Sequence, residues 1–262
     1  MQGALYFLIA IAATTVGAMT GMGGGVIIKP VLDVLGQYDV ETISMLSCLT
    51  VFAMSLVSAG KHVRQKTPLN LRLSLPLAIG SLAGGSLGAH LLSALVAAIG
   101  SDAPVLICQN IVLGLLILAV FLYMQNKGRI RPLGRTGLPA SLLVGVALGF
   151  FSSFLGIGGG PINVAAIMFV FGVTIKPATV CSLVTILFAQ VSKLVTTGMG
   201  IGFAGFDFSM LPFMIVGAVL GGFLGAKFNK ELSDRAVERS FNAVQLIVLG
   251  ICLFNIVRYT RG

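Results

Sequence analysis

Charge is what this chain has least of. Asp, Glu, Lys and Arg make up 10% of its 262 residues, where an ordinary soluble domain carries roughly 25%. With 56% hydrophobic residues and a mean hydropathy of +1.02, there are too few polar side chains to cover a water-facing surface. That shortage excludes a soluble globule and leaves an integral membrane protein. The second scarcity is of chemistry-bearing groups. His62 and His90 are the only histidines, and neither has ligand-type neighbours. Cys48, Cys108, Cys181 and Cys252 lie in apolar stretches without CxxC spacing, as small buried hydrophobes do. No metal site and no cofactor are expected. The apolar stretches hold no carboxylate pair and no nucleophile with a base, which argues against an enzyme. The first twenty residues carry no basic charge and no convincing A-x-A site before the apolar pattern continues, so no secretory signal is expected.

Long apolar runs separated by short polar links are what the chain does have. Eight segments are expected, at about 3–36, 42–60, 73–95, 104–124, 138–171, 176–198, 208–228 and 239–257. A 19-residue helix covers roughly 28 Å, close to the thickness of a hydrocarbon core. Nothing is left over for a soluble domain.

Glycine is abundant, and it is patterned. GMGGG at 21–25 and GIGGG at 156–160 place glycines at the same four of five positions, 135 residues apart. At that offset Ser47 and Thr50 fall on Ser182 and Thr185. Further on, LAGGSLGAH at 82–90 matches VLGGFLGAK at 219–227, so Gly80, Gly84 and Gly88 meet Gly217, Gly221 and Gly225; Gln109 and Gly114 then meet Gln245 and Gly250. The chain therefore divides into a first transmembrane repeat at 1–124, a basic cytoplasmic linker at 125–137 and a second repeat at 138–262. Glycines at i, i+4 and i+8 let helix backbones approach closely in lipid, so the two ladders are expected at helix contacts.

Loop charge gives the relative orientation of the repeats. Lys61, Arg64, Lys66 and Arg72 follow the second segment, and no basic residue follows the third. In the second repeat the sixth segment is followed by none and the seventh by Lys227, Lys230, Arg235 and Arg239. Basic residues gather on the cytoplasmic side. If segments one and five break at their glycines and return to the side they entered from, the repeats are inverted and thirteen Lys and Arg become cytoplasmic, leaving Lys29, Arg258 and Arg261 outside and Lys193 within a segment. Eight simple crossings divide the same residues ten against five. The expected fold is thus all-α, two inverted four-segment repeats, each a glycine-broken re-entrant or discontinuous helix followed by three spanning helices. The net charge of +9 needs no nucleic-acid partner, since the cytoplasmic loops account for it.

Backbone that leaves the helix inside a bilayer must be buried in protein or line a watery cavity, because an unpaired amide facing lipid costs several kcal/mol. Broken helices within inverted repeats are where many carriers bind substrate. Here each break leads into a short helix, and Pro161 suits a first helical turn whose free NH groups point back at the glycines. Neither cluster is followed by GK[ST], and no strand-turn-helix unit is available, so a nucleotide loop is excluded. The candidate substrate-binding set is Gly23, Gly24, Gly25, Ser47, Thr50, Gly158, Gly159, Gly160, Asn163, Ser182, Thr185 and Lys193. The four hydroxyls either donate to an anion or back-bond to their own helices. Lys193 is either a functional intramembrane charge or a snorkelling one near the outer end of its segment. Asp33, Asp39, Glu41, Asp102 and Asp207 are expected in or near solvated links.

GMGGG, GIGGGPIN, the link FGVTIKPAT at 171–179 and the GGxLGA pair at 84–89 and 221–226 together resemble the sulfite exporter TauE/SafE family, over nearly the whole chain. The first half departs from the pattern, with Val26 in place of proline and Val40-Glu41-Thr42 where the second half has Ile175-Lys176-Pro177. The resemblance implies a plasma-membrane carrier of sulfite, thiosulfate or organosulfonates. An anion channel and a scaffold that transports nothing are the other classes compatible with the composition.

Overall fold

The computed structural model describes residues 2–64, 71–135, 137–200 and 202–261, the side chains of Leu71 and Arg261 excepted; Lys66 of the basic link lies outside the described residues. Among these it contains ten helices and no strand: α1 (Gln2–Thr20), α2 (Gly25–Leu35), α3 (Val40–Arg64), α4 (Leu71–Ile99), α5 (Asp102–Asn126), α6 (Leu138–Phe154), α7 (Pro161–Phe171), α8 (Ile175–Met199), α9 (Leu211–Glu231) and α10 (Asp234–Arg261). Seven of them are long and apolar enough to cross a membrane. The chain is a multi-pass membrane protein.

The first and fifth expected segments are each two helices, interrupted at the glycine clusters. Both short helices, α2 and α7, have 11 residues and stop in the same way. Gly36 and Gly172 adopt left-handed backbone, and their NH groups return to Leu32 O and Met168 O at 3.1 and 2.9 Å. This is a glycine C-cap, which satisfies end carbonyls that would otherwise be orphaned.

Contact register fixes how the helices run. Tyr6 Oη donates to Gln37 Oε1 at 2.8 Å and the Gly23 NH reaches Gly17 O, so α2 folds back along α1 as an antiparallel hairpin. Gly217 and Gly225 of α9 lie against the backbone of Phe7 and Thr15, and Asn229 donates to Met19 O at 2.7 Å; α1 and α9 are parallel. Gly80, Gly84 and Gly88 of α4 lie against the carbonyls of Leu142, Val146 and Phe150, so α4 and α6 are parallel as well. Lys127 pairs with Glu238 and Asn255 reaches Asn110, which makes α5 and α10 antiparallel. Cys48 and Ser44 meet Gln190 and Lys193, which makes α3 and α8 antiparallel.

Both glycine ladders sit in helix seams, as expected, and each seam joins the two halves of the chain. A Cβ at Gly84 would overlap the Val146 carbonyl, and one at Gly145 or Gly149 would overlap those of Leu77 and Ser81. Glycine on both helices lets the backbones touch, which replaces the hydrophobic drive that lipid does not supply. The most enclosed spans are α3 and α8, and the breaks lie against them.

Candidate functional site

The two breaks meet backbone to backbone in the interior. A Cβ at Gly25 would overlap the Ile157 carbonyl, and one at Gly23 would stand 2.8 Å from Gly158 O. At Gly159 and Gly160 the backbone has φ of 120° and 135°, which side-chain-bearing residues rarely adopt. Among the described residues their two amides have no hydrogen-bond partner, while Gly158 NH reaches Ser152 O at 3.3 Å and Asn163 NH reaches Gly160 O at 3.1 Å. Gly24 behaves differently. It faces Thr14 and the Ala13 carbonyl of α1, inside the hairpin, so of the six candidate glycines it is turned away from the junction.

The hydroxyls divide. Thr50 and Thr185 donate to Leu46 O and Cys181 O, one turn back on their own helices, at 2.7 and 2.9 Å; this is ordinary back-bonding. Ser182 donates to Gly21 O at 2.6 Å and ties α8 to the first break. Its repeat mate Ser47 is fully buried beside Gly25 and has no partner. Asn163, in the first turn of α7, is 1% exposed with neither Nδ2 nor Oδ1 bonded. Buried amides left in that condition cost about 1–3 kcal/mol, so an unpaired asparagine beside free backbone NH groups marks a place suited to a polar ligand.

Two charged residues, Lys29 and Asp33, differ from expectation, and Lys193 takes one of its two expected positions. Lys193 does not snorkel: it is 4% exposed, and its Nζ is held by Ser44, through Oγ and through the carbonyl at 3.4 Å. Asp33 is not solvated in a link but 1% exposed on α2. It is paired at 3.1 Å with Lys29, itself 2% exposed rather than at the outer surface. The interior around the first break therefore does contain a buried carboxylate. The sequence signal was the i,i+4 spacing of Lys29 and Asp33 on one short helix. What it did not reveal was that Asn110 and Gln109 of α5 and the α10 end around Asn255 and Tyr259 close over that face.

The other acidic residues lie at helix ends. Asp39 caps α3 through the Thr42 NH at 2.8 Å. Asp207 is exposed, and hydrogen bonds from Ser209 hold its carboxyl below the usual range. Lys176, at the start of α8, pairs with Asp234 at 3.8 Å. Cys48, Cys181 and Cys252 are buried, and all four thiols are free.

The junction itself is closed. A narrow recess of about 20 Å³ reaches Lys193 and Ser44 past Glu41 and Phe206. Polar groups are thus concentrated around two touching breaks in an otherwise apolar interior. That arrangement brings NH and OH donors and the Lys193 ammonium into one polar patch.

The sulfite exporter TauE/SafE profile matches residues 6–253. The chain is 24% identical to the probable membrane transporter protein YunE of Bacillus subtilis (strain 168), over 95% of this chain and 96% of that protein. It is also 24% identical to the probable membrane transporter protein MJ0441 of Methanocaldococcus jannaschii, over 94% and 93%. No solved structure matches. With the profile spanning all ten helices and both breaks, the chain belongs to the sulfite exporter TauE/SafE family of membrane transporters.

Proposed function

We propose that the protein is a secondary carrier that moves sulfite, thiosulfate or an organosulfonate across the plasma membrane by alternating access, with the anion held between the paired glycine breaks. The observation that carries this reading is the cluster at the junction: the free amides of Gly159 and Gly160, the unpaired Ser47 and Asn163, and Lys193 close by at Ser44. Hydrogen bonds to a charged group are worth about 1.5–3 kcal/mol each, so a few such donors suffice for an anion.

The division into two inverted repeats is part of the proposal, and helix direction supports it. If α1 runs upward, so does the parallel α9; α10 then runs down, α5 up, α4 down, and α6, parallel to α4, down. The hairpin-forming helices α1 and α6 thus oppose one another. In this arrangement Arg64, Arg131, Lys176 and Arg235 share one face, while Asp39, Asp102 and Asp207 share the other. The basic face is cytoplasmic by the distribution of positive charge.

Counterflow in proteoliposomes tests the carrier. Labelled sulfite or thiosulfate should accumulate transiently against an excess of unlabelled anion, with saturation. Flux that stays linear in concentration and shows no exchange would contradict a carrier. The backbone contact at Gly25 and Ile157 supports the carrier reading, because a carrier closes between its two halves. For the inversion, Arg64→Cys, Arg131→Cys and Arg235→Cys in a chain freed of its native cysteines should all be shielded from an impermeant thiol reagent in intact cells. Labelling at position 235 but not at 64 would break it.

A further inference from the structure

Lys29 and Lys193 approach the same point from different helices; among the described residues Lys29 is in a direct ion pair, while Lys193 is not and has Glu41 only across the recess that reaches it. A Cβ at Gly156, in the second break, would lie 3.2 Å from Lys29 Cδ and against the Ser44 hydroxyl that also receives Lys193 Nζ. The stem of Lys29 therefore passes the second break, and Ser44 stands between the two lysines. Lys29 Nζ is turned away from this point, donating to both carboxylate oxygens of Asp33 at 3.1 Å.

Such a pair is weak as a stability device. Taking two charges out of water costs several kcal/mol each, and apolar residues of similar volume often do as well. At positions 164 and 168, where the second half aligns with 29 and 33, the chain has Val164 and Met168. The helix position does not itself require charge. The surroundings are polar but unsaturated: Gln109 Oε1 and Asn255 Oδ1 have no partner. Asp33 and Lys29 border a gap with Gln109, Asn110 and Leu155 that is too narrow for a water molecule.

Resting on the transport reading above, we infer that Lys29 is a second cationic ligand of the transported anion, held in reserve by Asp33, and that anion binding therefore takes up a proton. In the closed state the Asp33 carboxylate occupies the ammonium. When the anion takes Lys29 jointly with Lys193 and Ser44, Asp33 loses its counter-charge in a medium that does not tolerate a bare carboxylate. It then accepts one proton from water. No bond other than O–H forms, and the anion and proton are bound together. The other groups facing Asp33 do not substitute for this proton. α5 offers Asn110, and α10 offers Cys252, Tyr259, whose hydroxyl donates to the Asp33 carbonyl, and Arg258, which donates to Val34 O. Ser44 of α3 and Lys193 of α8 meet at the Lys29 stem beside Gly156, and among the described residues neither bonds the carboxylate.

Calorimetry on the purified full chain, titrated with thiosulfate in buffers of different ionisation enthalpy near neutral pH, tests the inference. Thiosulfate itself stays deprotonated there, so protons taken up belong to the protein. Wild type should take up about one proton per anion, and affinity should rise as pH falls. Asp33→Asn should bind at least as tightly with no proton uptake. Lys29→Met should bind about tenfold or more weakly, and Lys29→Arg should recover part of that loss. The double variant Lys29→Met/Asp33→Leu, which leaves no unpaired charge and is the safeguard against misfolding, should be folded, weak-binding and proton-silent. Wild-type affinity in the double variant, or unchanged proton uptake in Asp33→Asn, would overturn the inference and leave the carrier intact. Absence of binding by wild type to thiosulfate, sulfite and taurine alike would overturn both.

Discussion

The two glycine breaks share a sequence pattern and a backbone plan, yet their surroundings differ. After the first break α2 carries the buried pair Lys29 and Asp33; after the second, α7 has Val164 and Met168 at the aligned positions and Asn163 unpaired in its first turn. The serines diverge in the same way, Ser182 binding Gly21 O while Ser47 is left free. The helix seams, by contrast, are matched: α4 on α6 repeats α9 on α1, glycine against carbonyl. The lesson is that the glycine-patterned segments match where backbones pack and differ where polar groups converge.

The matched seams yield the largest expected effects. Gly84→Leu and Gly221→Leu should each abolish a monodisperse peak in detergent, since both helices would have to separate. Alanine resolves a finer difference. At Gly84 the new Cβ would overlap the fixed Val146 carbonyl, whereas at Gly221 the nearest atom is the Thr14 hydroxyl, which can rotate, and the nearest backbone atoms, Ile11 O and Thr15 N, are at 2.9 Å. Overpacking costs typically 1–3 kcal/mol, so Gly84→Ala should fall in that range and lower the melting temperature more than Gly221→Ala. Equal losses would mean that the two seams are equally rigid.

Lys193 is expected to have the next largest effect. Because it is enclosed and held by Ser44 rather than reaching the surface, Lys193→Gln should weaken anion binding by at least about tenfold, or roughly 1.4 kcal/mol. Binding within threefold of wild type on a folded variant would return the lysine to a packing role. The serine pair gives the smallest effect and the cleanest contrast. Ser182→Ala removes a buried hydrogen bond and should cost about 1 kcal/mol of stability. Ser47→Ala removes an unbonded hydroxyl and should leave stability unchanged while reducing affinity. The reverse pattern would erase the distinction drawn between the breaks.

The spans, the positions of both breaks and the use of the glycine ladders in seams were legible in the sequence. Each depends on local facts: length of apolar run, glycine where side chains do not fit, and spacing along one helix face. The position of Lys193 along its segment was legible as well, but not its enclosure, because that depends on Ser44 of a helix 149 residues away in the chain. Lys29 and Asp33 were misread as peripheral for a related reason. α2 is too short to span, so its hydropathy says nothing about depth, and only the packing of α5 and α10 over it makes the pair internal. Which hydroxyls back-bond was not decidable either: Thr50 and Ser47 lie one turn apart on one helix, and only Thr50 bonds its own helix.

That an anion occupies the junction of the breaks is tested most directly at Asn163. Its amide is buried without a partner, so a residue that served the fold alone would be improved by an apolar replacement of similar size. Calorimetric titration of sulfite and thiosulfate into Asn163→Leu, alongside its melting curve, separates the two roles. The account predicts a melting temperature equal to or above wild type with affinity lowered by about tenfold or more. A variant as stable as wild type that binds both anions with unchanged affinity would contradict it and move the anion site away from the glycine breaks.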